Sequence, residues 1–162
     1  MKRIPLLLLA MAGCLALACN DDDDNNTDIS GTYNLTAFMA PVAVDFNDDG
    51  TPSTNLINET TCYDNATLVL HDNATYDLTY SYLTVQDDAV VTSCQNSVTS
   101  GTWARSGSSV VLTDGVSSDT SIFTYSQNTL SQVQTGVYPN INSEGDAYLA
   151  TGTVGIVFTE VE

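Results

Sequence analysis

Asp45, Asn47 and Asp49 alternate along the chain, and Gly50, Thr51 and Ser53 follow them. Oxygen-bearing side chains at every second position converge as the chain curls, and a glycine permits the sharp bend. The spacing matches the first, third, fifth, sixth, seventh and ninth positions of an EF-hand loop, with Thr51 offering its carbonyl and Ser53 a hydroxyl or bridging water. The twelfth position, where that loop wants a bidentate glutamate, is Leu56, so Glu59 is the substitute if the chain folds back. Oxygen-only ligands amid high negative charge suit calcium over transition metals. The plainer reading is an Asx/Gly-rich turn with its carboxylates in water. Calcium held here would stiffen a long loop rather than catalyse.

The cysteines carry a second kind of chemistry. Lys2 and Arg3 precede an apolar run over residues 4–18, which ends in Ala16-Leu17-Ala18-Cys19, and Asn20-Asp21-Asp22-Asp23-Asp24 follows at once. The run is shorter than the roughly 20 residues that span a bilayer, and its positive start and small-residue end mark an export signal. The segment resembles the signals of bacterial lipoproteins, whose first mature residue is a lipid-modified cysteine. The expected signal peptide is residues 1–18 and the expected lipidation site Cys19. Cutting at the competing Cys14 leaves Leu15-Ala16-Leu17-Ala18 exposed in the mature tail. Residues 19–28 read as an acidic tether. The acidic run resembles the export signal of surface-exposed lipoproteins of the Bacteroidota, which implies an outer-membrane anchor facing outward; a periplasm-facing orientation stays open. Export exposes Cys62 and Cys94 to an oxidising environment, so they are expected to form a disulfide. A zinc site is disfavoured, because structural zinc wants four ligands and His71 is the only histidine.

Aromatic side chains supply the third constellation. Tyr76, Leu78, Tyr80 and Tyr82 share one face of a strictly alternating segment, and Thr75, Asp77, Thr79 and Ser81 share the other. With Tyr33, Trp103 and Phe158 these tyrosines can line a pocket for a small amphipathic ligand, apolar in body with hydroxyl handles. The competing reading is a barrel filled by its own side chains. His71, beside Asp72 at a turn, reads as a strand-end residue, since no nucleophile-elbow pattern accompanies it. Arg105 pairs with a carboxylate or orients an anionic ligand. Asp48-Asp49 and Asp87-Asp88 read as solvated turns rather than a catalytic carboxylate pair. The chain is expected not to be an enzyme.

These residues need elements to hold them. Beyond the signal, twenty acidic residues face a single basic one, Arg105. Nucleic acid is excluded as a partner, because phosphate binding depends on Lys and Arg. Richness in Thr, Ser, Val, Tyr and Asn favours strands and turns. Strands are expected at 31–39, 66–71, 74–83, 100–105, 108–113, 120–125, 129–134 and 151–160. Long connections are expected over 40–64 and 136–148, with a loop around Cys94. Eight hairpin-linked strands suit a closed antiparallel up-and-down barrel over residues 29–162, with a two-sheet sandwich as runner-up.

A family resemblance rests on short motifs. Ile29-Ser30-Gly31-Thr32-Tyr33-Asn34-Leu35 opens the domain and Gly101-Thr102-Trp103 recurs near its middle. Between them lie Asp45-Phe46-Asn47-Asp48-Asp49-Gly50, Ser53-Thr54-Asn55-Leu56 and Cys62. Together they resemble the lipocalin-like lipoproteins of the Bacteroidota, which implies a small barrel on a lipid tether. The expected function is a lipid-anchored, non-catalytic binding module with a small apolar or amphipathic ligand. The alternative is an interaction module that displays its loops to a surface protein.

Overall fold

The computed structural model describes residues 28–85 and 93–162. The signal, Cys19 and the Asp87-Asp88 pair lie outside the described residues. The strands in chain order are β1 (Gly31–Val44), β2 (Ser53–Asn55), β3 (Thr67–Leu70), β4 (Thr75–Thr84), β5 (Ser93–Ser106), β6 (Ser109–Asp114), β7 (Thr120–Ser126), β8 (Thr129–Ile141) and β9 (Ala147–Glu160). Every pairing among them is antiparallel, and β1 pairs with β9, so eight strands close into an up-and-down barrel with β2 as a short side strand on β1. All eight expected strands are present.

Turn chemistry sets the hairpins. Gln127 and Asn128 both adopt positive φ, 48° and 60°, between paired Ser126 and Thr129. Two left-handed residues give the turn twist that a two-residue hairpin requires. Period-two alternation then places Leu68, Leu70, Val110, Leu112, Phe123, Leu130, Ile156 and Phe158 in the core. In β1 the alternation slips: the register skips between Leu35 and Ala37, so Thr36 is a bulge and both Leu35 and Phe38 are buried.

Three segments differ from the sequence expectation. The connection expected over 136–148 is mostly strand, because β8 and β9 pair without interruption from Thr129↔Thr159 to Ile141↔Ala147. Its turn is only residues 142–146, closed by Asn142, whose side-chain oxygen accepts the amides of Glu144 and Asp146. Pro139 is tolerated because β8 past Ser131 has no β7 partner, and a missing N–H on an unpaired edge breaks no ladder bond. Cys94 lies within β5, opposite Leu83, rather than in a loop. The loop over 40–64 contains the end of β1, all of β2 and two 3-10 turns, Leu56–Asn58 and Thr61–Tyr63.

The second of these turns carries Cys62, whose disulfide to Cys94 ties the long connection to β5. The ring of the neighbouring Tyr63 packs edge-on against Phe38, with centroids 5.1 Å apart.

Candidate functional site

Unequal strand lengths open the barrel wall. β7 pairs with β8 only through Thr124–Ser126, and β6 ends opposite Gly101 while β5 continues back to Ser93. Beyond these last rungs, β5 and β8 run on past the short β6–β7 hairpin. The space between them leads into the barrel as a cavity of about 390 Å³.

The buried side of this cavity is apolar. Tyr76, Leu112, Phe123, Ile156 and Phe158 line it and are all buried. Phe123 and Phe158 meet edge-on, with centroids 6.2 Å apart. Leu78 and Tyr80 continue the same wall along β4. The solvent side is polar: Asp114 ends β6, Ser117 and Asp119 come from the β6–β7 connection, and Gln132 and Gln134 from β8. Asp114 is anchored there by its own loop, one carboxylate oxygen accepting the amides of Val116 (2.8 Å) and Ser117 (2.7 Å). Those amides hold its pKa below the ordinary carboxylate value.

The phenols are shifted the other way. Burial pushes Tyr80 up to about 12. Burial raises Tyr76 too, the charge of Asp114 adds to that, and a hydrogen bond with Thr99 opposes it. At neutral pH both phenols are therefore uncharged hydroxyls that donate and accept.

The sequence-read aromatic set divides. Tyr76, Tyr80 and Phe158 line the large cavity. Tyr80 and Tyr82, with rings stacked at 6.1 Å, also line a smaller pocket of about 190 Å³ with Phe38, Tyr63 and Leu83. Tyr33 lies outside both linings; it is wholly buried and donates its hydroxyl to the Ile29 carbonyl at 2.7 Å. Trp103 also lies outside them, donating its indole N–H to the His71 carbonyl at 3.0 Å. His71 itself bonds Asp77 at 2.9 Å between its ring Nε2 and the carboxylate. Arg105 sits near the β5–β6 turn, donates Nε–H to the Gly107 carbonyl at 2.7 Å and lies over the Tyr125 ring at 4.9 Å.

Sequence reasoning did not assign Leu112, Phe123 or Ile156 to a site, nor the polar residues Asp114, Asp119, Gln132 and Gln134. The apolar three were visible as alternating positions of expected strands. The polar four owe their place to where β6 and β7 stop.

The Asp45 loop is closed by its own side chains. Asp45 accepts the amides of Asp49 (3.1 Å) and Gly50 (2.9 Å), Asn47 accepts Asp49 N–H (3.0 Å), and Asp49 accepts Thr51 N–H (2.7 Å). The chain does fold back: Glu59 is buried and accepts the Phe46 amide at 3.2 Å. Asn47 and Glu59 line one hollow with Asn58 and Thr60. Ser53 instead bonds within its own segment, accepting Asn55 N–H at 3.0 Å. Among the described residues, no group of three or more His, Cys, Asp or Glu side chains converges as a metal site.

A family model described as a lipocalin-like domain matches residues 29–131. The match ends in β8, so the closing strand β9 lies beyond it. Comparison with curated proteins and with solved structures gives no match.

Proposed function

This chain belongs to the lipocalin-like domain family, and from that premise we propose that it is a non-catalytic binding module which holds a small apolar or amphipathic molecule in its barrel. The observation that carries this reading is the 390 Å³ cavity with an apolar buried side and a few polar groups toward solvent. A cavity of that size and lining is typical of small-molecule sites. The neutral phenols of Tyr76 and Tyr80 supply hydroxyl handles beside the apolar wall.

The reading extends to location. A signal over residues 1–18, lipid on Cys19 and the Asp21–Asp24 run resemble those of surface lipoproteins of the Bacteroidota. The barrel would then be tethered to the outer membrane and face outward. Two acyl chains would make such an anchor stable, since each buried methylene contributes about 0.8 kcal/mol. Mass analysis of the native amino terminus tests this part: an acylated cysteine is expected, and an unmodified terminus removes the anchor.

Native mass spectrometry of protein isolated from its own host tests the cavity reading. A retained small molecule is expected. The second reading, an interaction module docking a surface protein, draws on exposed apolar side chains of the β8–β9 hairpin, Val137 (57% exposed) and Leu149 (55%). An empty barrel that co-purifies with a protein would favour that reading.

A further inference from the structure

Resting on the cavity reading above, we propose that the barrel selects a small organic cation, an apolar body bearing a protonated amine, and rejects the equivalent carboxylate. Among the described residues, the charged side chains in the cavity lining are Asp114 and Asp119, and none of the lining residues is Lys, Arg or His. Arg105, the one basic residue beyond the signal, sits near the β5–β6 turn over the Tyr125 ring, at the opposite end of β6 from Asp114. The field at the cavity entrance is therefore negative, and the rest of this acidic chain reinforces it.

Three kinds of group then fit one ligand. Asp114 and Asp119 attract an ammonium head. The carboxylate of Asp114 is kept ionised by the amides of Val116 and Ser117. Tyr76 and Tyr80 line the cavity, and aromatic rings and neutral phenol oxygens both attract cations. Leu112, Phe123, Ile156 and Phe158 receive the apolar body. A carboxylate head entering the same way meets two like charges and no basic side chain, a repulsion that solvent and salt screen but do not cancel at low ionic strength.

The test uses three probes of one chain length, decylamine, decanol and decanoate, titrated onto the folded protein at neutral pH and low salt by calorimetry. Decylamine is expected to bind roughly tenfold or more tighter than decanoate, with decanol between them. High salt should narrow that ratio, because the groups involved face solvent. Asp119→Asn should narrow it as well, and so should Asp114→Asn if its loop survives the change. Asp77→Asn alters an exposed carboxylate away from the cavity and should leave the ratio unchanged. If decanol binds and decylamine gains nothing over decanoate, the cation inference falls while the ligand reading stands. If none of the three binds, both fall. Equal narrowing by Asp77→Asn and Asp119→Asn would assign the selectivity to the general surface and overturn the inference.

Discussion

Gly101 is the position where one added carbon should do the most damage. A Cβ built on Gly101 runs into the Thr113 carbonyl oxygen, stands 2.9 Å from the Tyr76 ring and 3.0 Å from the Gly115 amide nitrogen. Two of these three are backbone, which cannot rotate aside. Gly101↔Asp114 and Thr102↔Thr113 are rungs of the β5–β6 ladder, and Gly115 N–H donates to Ser100 O at 3.0 Å just beyond them. Displacing Thr113 therefore weakens two or three hydrogen bonds, each contributing about 1 kcal/mol. Overpacking the Tyr76 ring adds about 1–3 kcal/mol. Together Gly101→Ala is expected to cost about 3–6 kcal/mol, a large share of the roughly 5–15 kcal/mol that stabilises a domain. Urea unfolding followed by the fluorescence of Trp103, the sole tryptophan, reads this directly. With a slope of about 2 kcal/mol per molar urea, the midpoint should fall by about 2 M. The comparison variant is Gly50→Ala, where φ is +79° and no atom lies within 4 Å. That change strains only its own backbone and should cost about 1 kcal/mol. A Gly101→Ala midpoint no lower than that of Gly50→Ala would refute the close-approach argument. Because Tyr76 lines the cavity, Gly101→Ala protein that still folds should also bind decanol more weakly.

Other expectations follow from the same structure. Replacing Cys62 and Cys94 with alanine should cost about 3–4 kcal/mol by the chain-entropy model for a separation of 32 residues; unfolding curves that coincide with and without reductant in the parent would contradict this. Tyr80 keeps its proton up to about pH 12 in the fold, and burial raises Tyr33, Tyr63 and Tyr76 as well. An unfolded tyrosine titrates near 10. A raised folded pKa means this stabilisation is fully present below pH 10 and is lost as pH rises through the folded values. Phenolate absorbance should therefore appear in two phases, the later one coinciding with unfolding; a single phase near pH 10 in folded protein would refute the burial. Since Asp45 and Asp49 each already engage backbone amides and no acidic cluster converges among the described residues, any calcium affinity of the Asp45 loop is expected to be weaker than about 0.1 mM. Calorimetric heat that disappears in Asp45→Ala supports the site, and silence at millimolar calcium removes it.

The barrel was legible wherever side chains alternate. Strands such as β4 and β9 carry Tyr76, Leu78 and Tyr80, or Val154, Ile156 and Phe158, on one face, and that period survives any detail of packing. The Cys62–Cys94 bond was legible because an expected export signal and a small cysteine count left few pairings. Legibility failed where local residues and tertiary context disagree. Ser93, Gln95, Asn96 and Ser97 carry no apolar period, yet they pair residue by residue with Thr84, Tyr82, Ser81 and Tyr80. Pro139, Asn140, Asn142 and Gly145 read as one long turn, yet Pro139 and Asn140 lie in β8, facing Leu149 and Tyr148. Such segments take their structure from the neighbouring strand rather than from their own propensity.

The chain's one-dimensional pattern determined that this protein is acidic and all-β, with Cys62 and Cys94 as a disulfide pair and a barrel favoured over a sandwich, because alternation, composition and cysteine count are properties of the sequence alone. The tertiary structure decided where the barrel is open and what lines the opening. That depends on β6 and β7 ending short of β5 and β8, which leaves Asp114 and Asp119 beside Tyr76, Phe123 and Phe158. Strand-length mismatch is a relation between separate strands that no local pattern shows, and closure of β1 on β9 makes the sheet the barrel into which the opening leads.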